Sequence, residues 1–313
     1  MLLASPALAA PTASDAAVGR NASIVAASAP LQTAVTAATL PANFADTIAL
    51  GGLTYPMSVR FASDGRVFVA QKGGRILVYS DLSAVTPTLF ADLSTNVHDF
   101  WDRGLMSIAL APNFPTDPYV YVLYAYDAAI GGVAPLWPDS CPANPGATTD
   151  GCVISGRLSR LQASGNVMTG TEQVLINDWC QQFPSHSLGD LRFGADGKLY
   201  ISGGEGASFN NADYGQFGGT VGSPPATPKN PCGDPPAGVG GTMTPPTTRG
   251  GALRSQSLRR PAGEPRLLSG TILRVDPTTG AGLSDNPLGG SASANEKRVI
   301  GYGLRNPFRF AIR

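Results

Sequence analysis

The sequence predicts an all-β protein, and three observations support this fold class. Short runs rich in β-prone apolar residues recur along the chain, as in residues 57–79 and 189–203. Asp-Gly and Gly-Gly pairs separate these runs, and such pairs suit turns that need a positive φ. The 313 residues include 38 glycines and 27 prolines, a composition that predicts many turns and few long helices.

The predicted strands follow one another closely along the chain. Residues 57–79 contain three strands with turns at Asp64-Gly65 and Gly73-Gly74, and Leu89 to Leu93 adds a fourth. The other predicted strands are LMSIAL and YVYVLYAYD within 104–126, SGRLSRLQA, EQVLIND, the two strands of LRFGADGKLYI at 191–201, GTILRVD, and the final RVIGYGLRNPFRFAIR.

An internal repeat predicts how these strands are grouped. FASDGRVFV at 61–69 matches FGADGKLYI at 193–201 in residue type at each position, and a variant begins at Leu110. Each unit is a hairpin that opens a group of about four strands. Radially repeated four-stranded sheets form a β-propeller. The alternative is a β-sandwich in which the likeness arises by chance.

The chain is too short for a closed propeller of six blades at about 40–45 residues each. We count three blades and the start of a fourth, and Phe308 to Arg313 has the composition of a strand at the chain end. An open half-propeller would expose sheet edges. We therefore expect the chain to be the N-terminal piece of a longer protein.

Composition predicts the domain limits and the cellular compartment. Residues 1–9 resemble the end of a secretory signal, with Ala7-Leu8-Ala9 as a small-x-small cleavage site. Residues 10–43 are Ala/Ser/Thr-rich and predict a disordered arm. Residues 44–313 form the propeller domain, with a Gly/Pro/Thr-rich insertion at 206–265. We expect a secreted or periplasmic protein.

Charge and hydropathy exclude two kinds of partner. With 22 basic and 22 acidic residues the net charge is zero, which argues against nucleic acid held by bulk electrostatics. No run of 18 or more apolar residues occurs, so we expect no membrane span.

Four cysteines fit an oxidising compartment, and they allow three disulfide connectivities. Cys141 and Cys152 bracket a short Pro/Asn/Gly/Thr loop, and Cys180 and Cys232 remain. The local choice is 141–152 with 180–232, and the alternative is four free buried thiols.

The chain has two histidines, and both are candidates for chemistry. His186 directly precedes the hairpin at 191–201, where a rigid sheet can hold a general acid or base. The alternative is a loop histidine that hydrogen-bonds locally. His98 lies beside Asp99 and Asp102, and for His98 we favour packing within a loop over a second position in a pocket.

Four motifs in one order resemble the glucose/sorbosone dehydrogenases, which include the soluble quinoprotein glucose dehydrogenases. The motifs are GLMSIALAPNF at 104–114, HSLGDLRFGADGKLY at 186–200, SGTILRVDP at 269–277 and GLRNP at 303–307. The resemblance covers roughly residues 44–313. It implies a six-bladed propeller that binds pyrroloquinoline quinone (PQQ), usually with calcium, and oxidises a sugar or alcohol carbon bearing a hydroxyl.

The resemblance also implies roles for individual residues. His186 matches the general base, which removes the hydroxyl proton. Arg305 matches the residue that donates to the quinone oxygen as it gains negative charge, and Asn306 matches a hydrogen-bond donor to the cofactor. The alternative for Arg305 is a structural arginine in a blade turn.

Three positions bear on the substrate. Ser185 replaces an acid that often precedes the base in glucose-oxidising members, and Asp102 replaces an amide. Glu205 stands at the position of another polar substrate contact. Asp102 and Glu205 are therefore predicted to bind substrate, and the departures place glucose in doubt but not a polyol or another aldose. The calcium ligands of the family lie beyond residue 313, so no metal ligand is assigned.

Two other functions compete with a dehydrogenase that passes electrons to an external acceptor. One is a non-catalytic extracellular binding propeller, because a fold does not determine a function. The other is a calcium-dependent lactonase, which needs a cluster of carboxylate and amide ligands. The pairing of His186 with Arg305 and Asn306 favours the enzyme.

Overall fold

The computed structural model describes residues 40–209, 230–233 and 266–313. The chain divides into a unit of residues 1–47 and a larger unit of residues 48–313. In the described part of the smaller unit, Phe44 N donates to Pro41 O across 3.1 Å and closes a turn. The predicted signal remnant, nearly all of the predicted arm and most of the 206–265 insertion lie outside the described residues.

The larger unit is built almost entirely of strands. Its described elements are β1 (Pro56–Phe61), β2 (Val67–Gln71), β3 (Arg75–Tyr79), β4 (Thr88–Asp92), β5 (Leu105–Leu110), β6 (Tyr119–Tyr126), β7 (Ile154–Ser164), β8 (Val167–Gln181), β9 (Leu188–Phe193), β10 (Leu199–Gly203), β11 (Thr271–Val275), α1 (Ala294–Arg298) and β12 (Val299–Tyr302). Within the described residues no helix is long and apolar enough to cross a membrane.

The strands form three four-stranded antiparallel sheets, which follow one another along the chain as β1–β4, β5–β8 and β9–β12. Each strand pairs with the next one in the sequence, the arrangement of a propeller blade. The predicted fold class, an all-β propeller with an incomplete set of blades, is confirmed.

The two Asp-Gly hairpins occupy equivalent positions in the first and third sheets. Each joins the first two strands of its sheet, with Phe61 opposite Val67 and Phe193 opposite Leu199. The turn glycines have φ of 92° at Gly65 and 69° at Gly197, a conformation in which glycine carries no steric penalty. The sequence repeat therefore reflects a repeat of structure.

The first strands of the three sheets lie side by side at the centre. Asp190 of β9 is buried, and its Oδ1 accepts hydrogen bonds from Ser107 Oγ of β5 at 2.6 Å and from Arg60 Nη2 of β1 at 3.1 Å. A buried carboxylate is stable only when it is paired, so this contact specifies the alignment of the three strands. The cavity of the candidate active site described below adjoins the beginnings of these strands.

The main core lies between successive sheets. Phe68 of the first sheet packs edge to face against Phe114 with ring centroids 5.5 Å apart, and Tyr121 packs in the same way against Phe193 of the third sheet at 5.2 Å. Because both faces of β2 are covered, all five of its residues are buried, and VFVAQ is nearly continuously apolar.

Both predicted disulfides are present, and the described residues contain no free cysteine. Cys141–Cys152 closes a loop between β6 and β7. Cys180–Cys232 joins the end of β8 to the segment 230–233. The alternative of free buried thiols is wrong.

Two details differ from the sequence expectation. No described strand pairs with residues 303–313, so the predicted strand from Phe308 to Arg313 and the start of a fourth blade are absent from the described residues. β-propensity alone cannot form a strand without a partner for its backbone groups. The short helix α1 was not predicted, although Ser293 and Glu296 form a capping-box pattern, with Ser293 accepting from Glu296 N.

Candidate active site

The loop between β8 and β9 holds His186 in an unusual backbone conformation. Its φ is 47°, in the left-handed region that residues other than glycine seldom adopt. Two hydrogen bonds hold this conformation: His186 N donates to Asp102 Oδ2 across 3.0 Å, and Gly206 N donates to His186 O across 3.0 Å. The side chain is buried, so the imidazole is held in one place.

The glycine-rich segment after β10 is needed for this loop to pack. A Cβ atom on Gly204 would lie 2.1 Å from His186 O, and one on Gly203 would lie 2.0 Å from the Trp179 ring. No real side chain tolerates such contacts. The two glycines therefore allow the end of β10 to pack directly against the histidine loop.

Glu205 follows these glycines and meets the histidine side chain. Glu205 has 0% exposure, and its Oε1 lies 2.8 Å from His186 Nδ1. A carboxylate only accepts, so the imidazole donates from Nδ1, and in the neutral form of the ring the lone pair is on Nε2. The pair thus presents Nε2 as a proton acceptor, with a buried negative charge behind the ring.

Arg305 approaches the same carboxylate from the last described segment. Its Nε lies 3.8 Å from Glu205 Oε1, and its carbonyl accepts from Glu205 N across 3.0 Å. The following segment is anchored to β10, because Ser202 Oγ donates to Pro307 O across 2.6 Å. The guanidinium side chain stays 54% exposed, so it can donate to a ligand.

A cavity of about 310 Å³ adjoins these groups. The beginnings of the three first strands contribute Met57, Met106 and Leu188. Its remaining lining consists of Lys72, Trp101, Asp102, Ser187, Asn306 and Phe308. The cavity therefore combines aromatic and thioether surfaces with one cation, one carboxylate and one amide.

Comparison with known proteins identifies the family. The model of the family described as Glucose / Sorbosone dehydrogenase matches residues 53–223, more than half of the chain. The chain belongs to the glucose/sorbosone dehydrogenase family. The predicted resemblance to this family is thereby confirmed, and the motifs at 104–114 and 186–200 lie within the matched residues.

One solved structure supports this fold. The PQQ-bound aldose sugar dehydrogenase from Streptomyces coelicolor aligns with a TM-score of 0.51 and 19% identity, covering 82% of this chain and 53% of that one. The putative oxidoreductase (glucose dehydrogenase) from Thermus thermophilus aligns with a TM-score of 0.49 and 22% identity. That alignment covers 82% of this chain and 53% of the other. The apo form of the soluble aldose sugar dehydrogenase from Escherichia coli aligns with a TM-score of 0.43 and 18% identity. That alignment covers 81% of this chain and 52% of the other. The chain spans about half the length of these structures.

Within this family member, the structure brings the predicted site residues together. Asp102 and Asn306 line the cavity, and His186, Glu205 and Arg305 form the adjoining cluster. The predicted substrate contact of Glu205 stays a prediction; the structure adds its contact with the histidine. The predicted substrate contact of Asp102 also stays a prediction. The structure adds that its Oδ2 accepts a hydrogen bond from His186 N.

Sequence reasoning missed several residues of the cavity. Lys72 lines it and forms an ion pair with Asp99. Trp101 could have been found from the sequence, because it directly precedes the predicted site residue Asp102. Met57 and Met106 could not, because their sequence context is that of ordinary strand residues.

His98 packs within its loop, as favoured from the sequence. It is fully buried, its Nε2 donates to Ser140 O across 2.8 Å, and its Nδ1 accepts from Arg103 Nη1 across 3.2 Å. Burial, followed by the positive charge of Arg103, lowers the pKa of His98 to about 3. Both nitrogens are used, and the neighbouring Cys141 and Cys152 are in a disulfide, so this group among the described residues is no metal site.

Proposed function

We propose that the protein is a PQQ-dependent dehydrogenase that oxidises the hydroxyl-bearing carbon of a sugar or alcohol. The observation that carries this proposal is the buried His186–Glu205 pair beside the exposed Arg305 guanidinium. Removing a hydride from an alcohol carbon requires a hydride acceptor, and a base and an anion-stabilising group at one site assist that transfer. A purely binding propeller needs neither.

The residues of the cavity fit the chemistry of PQQ, a planar aromatic quinone with several carboxylates. Trp101 and Phe308 offer flat apolar surfaces and Lys72 offers positive charge, and the adjoining Arg305 offers a second positive charge. Asn306 offers an amide that can donate and accept hydrogen bonds. We assign the holding of the cofactor to Arg305 and Asn306, and PQQ, when bound, supplies the acceptor for the substrate hydride.

The chain's own residues then perform the proton and charge work. His186 Nε2 takes the proton of the substrate hydroxyl, so the carbon can become a carbonyl without first forming a protonated carbonyl. The Glu205 carboxylate, 2.8 Å behind Nδ1, holds the ring and stabilises the imidazolium that forms. Arg305 stabilises the negative charge that develops on an oxygen facing it.

The substrate proposed is a polyol or an aldose other than glucose. Asp102 lines the cavity with a carboxylate, which accepts hydrogen bonds from sugar hydroxyls where an amide would also donate. Ser185, at the position often acidic in glucose-oxidising members, is buried, and its hydroxyl has no partner among the described residues. These two positions support a substrate contact pattern different from that for glucose.

The proposal extends to the cellular setting. Two disulfides support a secreted or periplasmic location, because disulfides persist in oxidising compartments. We also propose calcium as the metal that accompanies PQQ, without assigning its ligands, and an external electron acceptor that reoxidises the cofactor.

The test is reconstitution of the full-length protein. Purified apo-protein is titrated with PQQ in the presence of calcium, and binding is followed by the quenching of tryptophan fluorescence. Turnover is then measured with a panel of aldoses and polyols and an artificial electron acceptor. Saturable PQQ binding with turnover of a panel member supports the proposal. Absence of PQQ binding contradicts it and favours the binding propeller.

A further inference from the structure

A second cavity lies at the opposite ends of the three first strands. The candidate active site adjoins the beginnings of β1, β5 and β9, whereas this cavity of about 470 Å³ is lined by the residues at their ends. Strands of six residues are roughly 20 Å long, so the two cavities are separate sites. The proposed dehydrogenase chemistry uses no residue of this second cavity.

Positive charge exceeds negative charge at this cavity. Arg60 and Arg192 line it, and both bind the single carboxylate of Asp190, with Arg60 Nη2 at 3.1 Å from Oδ1 and Arg192 Nε at 2.9 Å from Oδ2. Arginine keeps its proton near neutral pH, so two positive charges face one negative charge. Arg309 adds a third guanidinium behind them, and its terminal nitrogens donate to the carbonyls of Gly189, Met57 and Met106.

The like charges act on one another. Burial and then the positive charge of Arg192 lower the pKa of Arg60, and Arg309 acts in the same direction. Asp190 acts in the opposite direction on the pKa of Arg60, through its charge and its hydrogen bond. An additional anion at this position would relieve the repulsion between the guanidiniums.

The Arg192 side chain has hydrogen-bond donors that no described residue uses. Its Nε is occupied by Asp190, and among the described residues its two terminal nitrogens have no acceptor. The side chain is 39% exposed, so those nitrogens are accessible from the cavity. Two adjacent N–H groups of a guanidinium match the two oxygens of a carboxylate.

Apart from Ser63, the residues that complete the lining are apolar, and three of them are aromatic. Phe61, Phe114 and Phe193 face the same space as the two arginines, and the Phe61 side chain is 65% exposed. Bare inorganic anions gain nothing from such surfaces, whereas an organic acid buries its hydrocarbon part against them.

We propose that this second cavity binds a small organic carboxylate, with the carboxylate on the terminal nitrogens of Arg192 and the hydrocarbon part against the phenylalanines. The proposal does not depend on the proposed dehydrogenase function, since it rests on different residues at the other ends of the strands. It assigns the Arg60–Asp190–Arg192 cluster a role beyond aligning the strands.

The test measures benzoate binding to the full-length protein by isothermal titration calorimetry at low salt, without PQQ. We expect saturable binding that weakens with added NaCl, because the attraction is partly electrostatic. Inorganic phosphate should bind at least about 10-fold more weakly than benzoate, since it lacks an apolar part. Equal or tighter binding of phosphate would overturn the proposed ligand class, and no benzoate binding would overturn the site.

Variants locate the binding. Arg192→Gln should raise the benzoate Kd by about 10-fold or more, and Arg192→Lys should retain part of the affinity because it keeps the charge. Arg75→Gln is the matched control, since Arg75 is a 52% exposed arginine of the first sheet outside the cavity, and its Kd should stay at the wild-type value. Circular dichroism checks that each variant folds. An unchanged Kd in folded Arg192→Gln overturns the proposal.

Discussion

Glu205 Oε1 lies 2.8 Å from His186 Nδ1, and the carboxylate is completely buried. The two residues come from different elements, one from the loop before β9 and one from the segment after β10, so the hairpin between them brings them together. This pair determines which imidazole nitrogen is available as a base, and it motivates the first two predictions.

Replacing the base should abolish most turnover without removing the cofactor site. His186→Ala should lower kcat by about 10²–10⁴, the usual contribution of a general base, while the Kd for PQQ stays close to that of the wild type. Arg305→Ala should weaken both PQQ binding and turnover, because its guanidinium serves both. Steady-state kinetics and fluorescence titration separate the two effects. Wild-type turnover in His186→Ala would remove the base assignment.

Removing only the charge behind the base should also slow the reaction. Glu205→Gln keeps an acceptor for His186 Nδ1 but loses the charge that stabilises the imidazolium, so kcat should fall on the order of 10²-fold. The melting temperature and the PQQ Kd serve as controls for folding and for the site. If kcat falls by less than about 2-fold in a folded variant, the carboxylate does not assist the base.

The close approach at Gly204 should be intolerant of any side chain. Gly204→Ala places a Cβ atom 2.1 Å from His186 O, so the histidine loop must move. We expect a loss of about 1–3 kcal/mol in the free energy of unfolding and a large loss of turnover. Gly290→Ala is the matched control, because a Cβ there meets nothing within 4 Å. Equal stability and activity of the two variants would contradict the described packing.

His98 should make the stability depend on pH. The folded protein keeps His98 neutral down to a pKa of about 3, whereas the unfolded chain takes up a proton below about 6.5. The unfolded state therefore binds more protons between these values, and the stability present above pH 6.5 is lost as the pH falls. The loss should be about 1.4 kcal/mol per pH unit well below pH 6.5.

Urea unfolding of the wild type and His98→Gln at several pH values from about 7 to about 4.5 measures this effect. The variant should lose less stability than the wild type over this range, because the other titrating groups are common to both proteins. Parallel pH profiles would show that the neutral state of His98 is not maintained by folding.

The two disulfides should differ in their contributions. Cys180–Cys232 spans 52 residues and Cys141–Cys152 spans 11. A longer loop loses more entropy on closure. Removing Cys180–Cys232 should therefore lower the free energy of unfolding by about 4 kcal/mol, and removing Cys141–Cys152 should lower it by about 3 kcal/mol. Paired Cys→Ser variants in denaturant titrations test this order. A greater loss from the shorter loop would contradict the entropic account.

The hairpins and the Cys141–Cys152 disulfide could be predicted from the sequence, because both depend on residues that are close along the chain. Asp64-Gly65 and Asp196-Gly197 are turns whose geometry depends on a few adjacent residues, so the hairpins at both places were predictable. Each hairpin opens a group of about four strands, and the repeat of such groups was sufficient to predict the propeller. The disulfide between Cys141 and Cys152 followed from their closeness along the chain.

The meeting of residues from separate blades could be learned only from the folded molecule. The hydrogen bond from His186 N to Asp102 and the ion pair of Arg60 with Asp190 join segments of different sheets, whose distance in space depends on the packing of whole sheets. Local propensities carry no information about such distances. The same reason explains the error at Phe308 to Arg313, because a strand requires a partner strand and the sequence of one segment does not supply it.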